Sequence, residues 1–258
     1  VLVPAVERAT RLLDCLSQAD TPMPLHALMR KLALPKSSVH GLLNTLCALG
    51  LAVRNDDATY SLGPHCLTWA DAFTRQSRVL HAFQTATEAL VPLREETVML
   101  ATLAPKSPGA PLEVQYLACH QGQRALAVAF RVGGRFPATC TSSGKAMLAT
   151  YPADEAMALV GSGSLPALTA KSLKKPSELR AQLEAFRATG VAVDDEETAL
   201  GMQCFGAPVF SAGQSHAIAA VAVSLIKASV TPARYRDVAH HIGALAAVLS
   251  KRLGATLS

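Results

Sequence analysis

No stretch of the 258 residues strings together the roughly 20 apolar side chains that a helix needs to cross a bilayer. The opening Val1-Leu2-Val3-Pro4 has no charged segment ahead of an apolar block, so no signal peptide is read there. The expectation is a cytoplasmic protein with no membrane partner. Charge is scarce as well: 17% of residues are charged against 50% hydrophobic, which excludes a disordered chain and leaves enough apolar material for a sizeable core. The six cysteines (Cys15, Cys47, Cys66, Cys119, Cys140 and Cys204) never form a C-x-x-C pair. That spacing supports neither a zinc site nor a disulfide framework, and most of the six read as small buried hydrophobes. Internal repeats and low-complexity tracts are absent too. Lysine and arginine exceed the acids by 24 − 19 = 5, an excess that permits a polyanionic partner without requiring one.

What is present is clearest between residues 3 and 62. Val3, Val6, Ala9, Leu13 and Leu16 recur at helical spacing up to Asp20-Thr21-Pro22. A second short helix places Leu25, Leu28, Met29 and Leu32 on one face, and a third carries Val39, Leu42, Leu43, Leu46 and Leu49. Pro35 suits the first turn of that third helix, and Gly50 the position just past its end. Two β-prone runs, Leu51–Arg54 and Thr59–Leu62, flank Asn55-Asp56-Asp57-Ala58 and read as a hairpin. Three short helices and a hairpin in so few residues describe a winged helix-turn-helix. The polar face of the third helix carries Lys36, Ser37, His40, Gly41, Asn44 and Thr45, side chains able to reach base edges and phosphates in a major groove. Arg54 and Asn55 sit where a wing reaches the flanking backbone.

Beyond Gly63-Pro64 a helical stretch of roughly two dozen residues is expected, with Leu67, Ala70, Phe73, Leu80, Phe83 and Leu90 on its apolar side. From about residue 92 the pattern becomes α+β. Strands are expected at Thr97–Leu103, Leu112–Cys119, Ala125–Phe130, Cys204–Phe210 and Ala217–Ile226, and helices at Gly144–Thr150, Glu178–Thr189 and Pro232–Leu253. The loop at residues 105–111 separates the first two strands. A mixed or antiparallel sheet packed by helices follows.

Leu34-Pro35-Lys36-Ser37-Ser38-Val39-His40-Gly41-Leu42-Leu43-Asn44-Thr45-Leu46 resembles the recognition-helix signature of the IclR family of bacterial transcription regulators, and Tyr60-Ser61-Leu62-Gly63 resembles the end of its wing. Two later stretches are similar to its effector domain. They are Val132-Gly133-Gly134-Arg135-Phe136-Pro137, running on to Ser142-Ser143-Gly144-Lys145-Ala146, and Asp194-Asp195-Glu196-Glu197, running on to Ala207-Pro208-Val209-Phe210. The resemblance implies a two-domain α+β chain: a winged helix-turn-helix over 1–63, a linker helix over 64–91 and a GAF-like α/β effector-binding domain over 92–258. It implies DNA contacts from Lys36, Ser37, Ser38, His40, Asn44, Thr45 and Arg54. One departure is Gly41, where family members often carry arginine.

For the effector, the resemblance places Ser142, Ser143, Asp194, Cys204, Ala222 and Ser224 around the ligand. The two serines precede a helix, where hydroxyls and free N–H groups can hold a carboxylate. Asp194 repels that anion unless it is distant, protonated or bonded to a ligand hydroxyl, so a small organic or aromatic acid carrying a hydroxyl satisfies both ends. Asp195, Glu196 and Glu197 read as a solvated turn. Ser142-Ser143-Gly144-Lys145 also matches S-x-x-K, but the companion motifs S-D-N and K-T-G of the serine β-lactamases are missing, as are a P-loop and H-E-x-x-H. Cys119-His120 and His65-Cys66 are neighbours only in sequence, and no enzyme is expected. The reading is a ligand-responsive regulator, homodimeric or homotetrameric, on a palindromic operator in double-stranded DNA, without cofactor or metal. The alternative is a GAF-like sensor whose helix-turn-helix serves dimerisation or protein contact.

Overall fold

The computed structural model describes residues 2–106, 110–123, 126 and 130–256. It divides into two units, Val1–Gln76 and Ser77–Ser258.

In the first unit, α1 (Pro4–Ser17) starts with proline at its first turn and buries Leu12 and Leu16. The face is rotated from the expected one: Leu13 is half-buried, while Val3 and Val6 are exposed. Strand β1 (Met23–Pro24) leads into α2 (Leu25–Leu32), which ends at Ala33 in the left-handed region, φ 53°. Helix α3 (Lys36–Ala48) follows, with Pro35 one position ahead of the first turn and Gly50 just beyond the C-cap Leu49. Val39, Leu43 and Leu46 of α3 are buried, whereas Leu49 is exposed. Strands β2 (Ala52–Arg54) and β3 (Thr59–Leu62) form the hairpin, and β1 joins it in the antiparallel order β1-β3-β2. The hairpin turn is held by Asp57, whose carboxylate accepts from the Thr59 N–H at 3.1 Å and hydroxyl at 2.6 Å. Leu12, Leu28, Leu43, Leu51 and Tyr60 pack into one core.

The helical stretch expected over 64–91 is broken into α4 (His65–Gln76), α5 (Arg78–Thr85) and α6 (Thr87–Leu90). Ser77 caps α5 by accepting from the Leu80 N–H, and this break coincides with the boundary between the two units. The expected apolar side splits accordingly: Leu67 and Phe73 on α4 are exposed, while Leu80, Phe83 and Leu90 are buried.

The second unit is a six-stranded sheet between two helical layers. Its strands are β4 (Thr97–Leu103), β5 (Glu113–His120), β6 (Arg135–Pro137), β7 (Ala192–Asp195), β8 (Met202–Val209) and β9 (Ala219–Ile226). They lie in the order β6-β5-β4-β9-β8-β7, and every pair is antiparallel. The helices are α7 (Ser142–Leu148), α8 (Ala153–Val160), α9 (Pro176–Thr189) and α10 (Pro232–Arg252). Strand period decides which layer each side chain meets. On β9, Ala219, Val221, Val223 and Leu225 join Phe83, Ile242 and Leu249 on the α5 and α10 side. Ala220 and Ala222 join Met147, Leu179 and Cys204 on the α7 and α9 side. Of the elements, β6, β7 and α8 were not expected, and the strand expected at Ala125–Phe130 falls mostly outside the described residues. Of the six cysteines only Cys140 and Cys204 are buried, the other four being half-buried, and all six are free thiols.

Candidate functional site

Two polar constellations stand out, one in each unit. The first is the open face of α3. Lys36, Ser37, His40, Asn44 and Thr45 are exposed, Ser38 is half-buried, and Arg54 is exposed on β2. No acid interrupts the helix, so a polyanion meets no fixed negative charge there. Asn44 Nδ2 lies 3.3 Å from His40 Nδ1, which links the two side chains, and the Thr45 hydroxyl donates to the Gly41 carbonyl at 3.0 Å. A Cβ built on Gly41 meets nothing within 4 Å, so the glycine answers no steric demand inside the fold.

The second constellation is buried. Register places Asp194 opposite Cys204 and Cys204 opposite Ser224, so three adjacent strands present a single polar row to one layer. Ala222 pairs with Gly206 on the same face. Helix α7 lies directly over this row, since a Cβ at Gly206 would meet the Ser142 carbonyl at 2.5 Å. The sheet therefore brings all six expected effector residues together: Ser142, Ser143, Asp194, Cys204, Ala222 and Ser224 are each at most 4% exposed.

Within the row, Cys204 Sγ and Ser224 Oγ are 3.1 Å apart. Asp194 Oδ1 accepts from the Glu197 N–H at 2.7 Å and the Thr198 N–H at 3.1 Å. The Asp194 carboxyl is pushed up by burial, against hydrogen bonds from Thr198 and the charge of Lys145. Burial, reinforced by Asp194, lifts the Cys204 thiol well above its usual value, and burial does the same for the Tyr116 phenol beside it. The row thus offers O–H and S–H groups and a carboxyl. The buried Ser143 hydroxyl has the Tyr116 phenol as its polar neighbour, without a well-formed hydrogen bond.

Sequence reasoning missed the charges behind this row. Lys145 is fully buried, and its Nζ donates to Glu197 Oε1 at 2.5 Å and Gln182 Oε1 at 3.0 Å, with the Phe186 ring 5.6 Å away. Glu197 is 3% exposed, which overturns its reading as part of a solvated turn. Burial raises its carboxyl, opposed by Lys145. Its segment is pinned by the hydroxyls of Ser172 and Thr169, which donate at 2.7 Å to the carbonyls of Glu197 and Glu196 respectively. Only Asp195 and Glu196 face outward, both on Lys227 at 2.9 and 2.6 Å. The available signal was Lys145 itself, a lysine inside an otherwise small and apolar helix.

The family model described as the bacterial transcriptional regulator IclR C-terminal domain matches residues 72–251, and the IclR helix-turn-helix domain matches residues 5–56. The chain belongs to the IclR family. It is 27% identical to the Pca regulon regulatory protein of Pseudomonas putida, over 88% of this chain and 76% of that protein. The solved repressor BlcR of Agobacterium tumefaciens is 31% identical, with a TM-score of 0.61 over 98% of both chains. An IclR homolog from Microbacterium hydrocarbonoxydans, solved with 4-hydroxybenzoate, shares the fold at 22% identity and a TM-score of 0.76, over 98% of this chain and 100% of that one. This IclR-family regulator therefore carries a helix-turn-helix and an effector-type domain. Among the described residues no helix is long and apolar enough to cross a membrane, and no cluster of three His, Cys, Asp or Glu side chains could hold a metal ion.

Proposed function

We propose that the protein is a cytoplasmic regulator of a catabolic operon that binds a palindromic operator as a homodimer or homotetramer and responds to a small organic or aromatic acid. Lys36, Ser37, Ser38, His40, Asn44 and Thr45 of α3 read the major groove, and Arg54 holds the backbone beside it. Leu67, Trp69 and Phe73, all exposed on α4, support self-association. The acid lies among Ser142, Ser143, Asp194, Cys204, Ala222 and Ser224. Its carboxylate takes the first N–H groups of α7 and the Ser143 hydroxyl, and a ligand hydroxyl meets Asp194.

The observation that carries this reading is the buried polar row under α7, where the Asp194 carboxyl, the Cys204 thiol and the Ser143 and Ser224 hydroxyls come together out of solvent. These residues are also closed from solvent, so binding has to part α7 from the row. A ligand that binds the open form better shifts the population towards it. A further support for binding over catalysis is that Lys145 Nζ bonds Glu197 and Gln182 rather than Ser142, which leaves the S-x-x-K serine without its base. The 4-hydroxybenzoate bound to the Microbacterium homolog has the two ends that this row can satisfy.

The test is fluorescence anisotropy of the full chain on its own upstream DNA and on a scrambled duplex, with and without a panel of hydroxybenzoates. A preference for the upstream duplex of about 10³ that an acid alters supports the proposal. Equal weak binding to both duplexes, with acid binding retained, favours a sensor whose helix-turn-helix serves protein contact.

A further inference from the structure

We propose a second small-molecule site, separate from the buried row, in the groove where the C-terminal end of α7 meets α9 and the far end of β8. Its ligand is a small carboxylate with an apolar or aromatic body. The groove encloses about 350 Å³, the small end of the range for ligand pockets and enough for a single ring. Phe186, Phe210 and Ala149 supply apolar wall, and Ser215 adds an exposed hydroxyl. None of the six residues of the buried row lines it.

Arg187 specifies the charge of the occupant. Its Nε donates to the Ala149 carbonyl at 2.8 Å and its Nη2 to the Tyr151 carbonyl at 2.5 Å, which fixes the guanidinium at the lip of the groove. Arginine has five N–H donors, so three remain unspent, and among the described residues no carboxylate pairs with it. A fixed, unpaired guanidinium beside an apolar wall matches a carboxylate on an apolar body. The larger groove between α8 and α9 lacks this property, because its Arg180 is already paired with Asp154 at 2.7 Å. Phe186 links the site to the interior: it lines the groove, and its ring centroid lies 5.6 Å from Lys145 Nζ. An occupant against Phe186 therefore touches a side chain that also meets Lys145.

Benzoate is the probe, titrated into the ¹⁵N-labelled full chain and followed by the backbone and Arg Nε–H resonances. The expected result is saturable movement of Arg187, Gly190 and Ser215. Arg187→Gln removes the cation and Ser215→Phe fills the groove, and each weakens that response about tenfold or more. Ser143→Ala, which acts on the buried row, leaves the groove response in place. Groove resonances that stay still, or that move only when Ser143 is intact, overturn the proposal. Should Arg187→Gln unfold the α7 end, Ser215→Phe still tests the groove on its own, since Ser215 is exposed and outside any helix or strand.

Discussion

Helices α3 and α7 present similar small polar side chains and one lysine each, in opposite surroundings. On α3, Lys36, Ser37, Asn44 and Thr45 are exposed, while every residue of α7 from Ser142 to Leu148 is buried. Water satisfies the first set at no cost, so that face is free to be selected for a partner. The second set has to be satisfied from within, and Lys145 is met by Glu197 and Gln182. The same residue types are thus interchangeable in composition and very different in consequence.

Removing the lysine from each helix should separate the two most clearly. Lys145→Met leaves Glu197 buried without its cation and is expected to cost about 3–5 kcal/mol in urea unfolding, with Lys145→Met/Glu197→Leu recovering much of the loss. Lys36→Met on α3 should stay within about 0.5 kcal/mol of the parent. Equal losses at the two lysines would mean that burial is not what separates the helices. DNA affinity should reverse the ranking. Asn44→Ala is expected to cost about 1–3 kcal/mol on the specific duplex, and Lys36→Ala to flatten the salt dependence by about 0.9 in the log–log slope. Anisotropy at several salt concentrations reads both, and a slope unchanged in Lys36→Ala would remove that lysine from the interface.

Glycine sharpens the same contrast. Gly41 on α3 has open space where a Cβ would go, and Gly41→Ala should raise the stability of the first unit by about 1 kcal/mol through helix propensity alone. Gly206 has the Ser142 carbonyl 2.5 Å from that point, so Gly206→Ala should destabilise the second unit by about 1–3 kcal/mol as α7 is pushed off the sheet. Thermal unfolding of both variants checks the pair. A neutral Gly206→Ala would show that α7 can shift away from the row without cost.

How far these surroundings could be read from sequence follows the range of the contacts. The α3 stripe is a local periodicity and emerges at Val39, Leu43 and Leu46, with Leu49 left exposed, and the apolar run at Ala217–Ile226 emerges as β9. The break at Ser77 left a weaker signal, a serine able to cap a helix inside a continuous apolar spacing. The burial of Glu197 left none nearby. Three acids in succession, Asp195, Glu196 and Glu197, look solvated, and the lysine that draws the last of them inward lies 52 positions away. The row Asp194–Cys204–Ser224 depends on the pairing of β7, β8 and β9, which the resemblance to relatives supplied and periodicity did not. Strands of three or four residues, such as β6 and β7, are too short for a pattern to declare itself.

The response to pH should be weak, because the two kinds of carboxyl pull in opposite directions. Asp194 and Glu197 have folded pKa values raised above 3.8 and 4.5 by burial, so the folded chain holds their protons more tightly than the unfolded chain does. Their contribution is greatest below those ordinary values and is lost as pH rises through the raised ones. Asp57 and Glu178, both exposed, and the half-buried Glu196 are carboxylates lowered by hydrogen bonds from Thr59, from the N–H groups of Lys174 and Lys175, and from Lys227. Their contribution is present above the ordinary values and is lost as pH falls. The net profile of the whole chain should therefore be shallow above pH 4, and the buried term emerges only by difference. Asp194→Asn keeps the oxygen that accepts from the Glu197 and Thr198 N–H groups but cannot ionise. The stability of the parent relative to this variant should fall as pH rises from about 4 to 7, measured by urea unfolding at each pH. A parent that instead gains on the variant over that range would mean that the charge of Lys145 outweighs burial at Asp194, and that the row under α7 holds a carboxylate rather than a carboxylic acid.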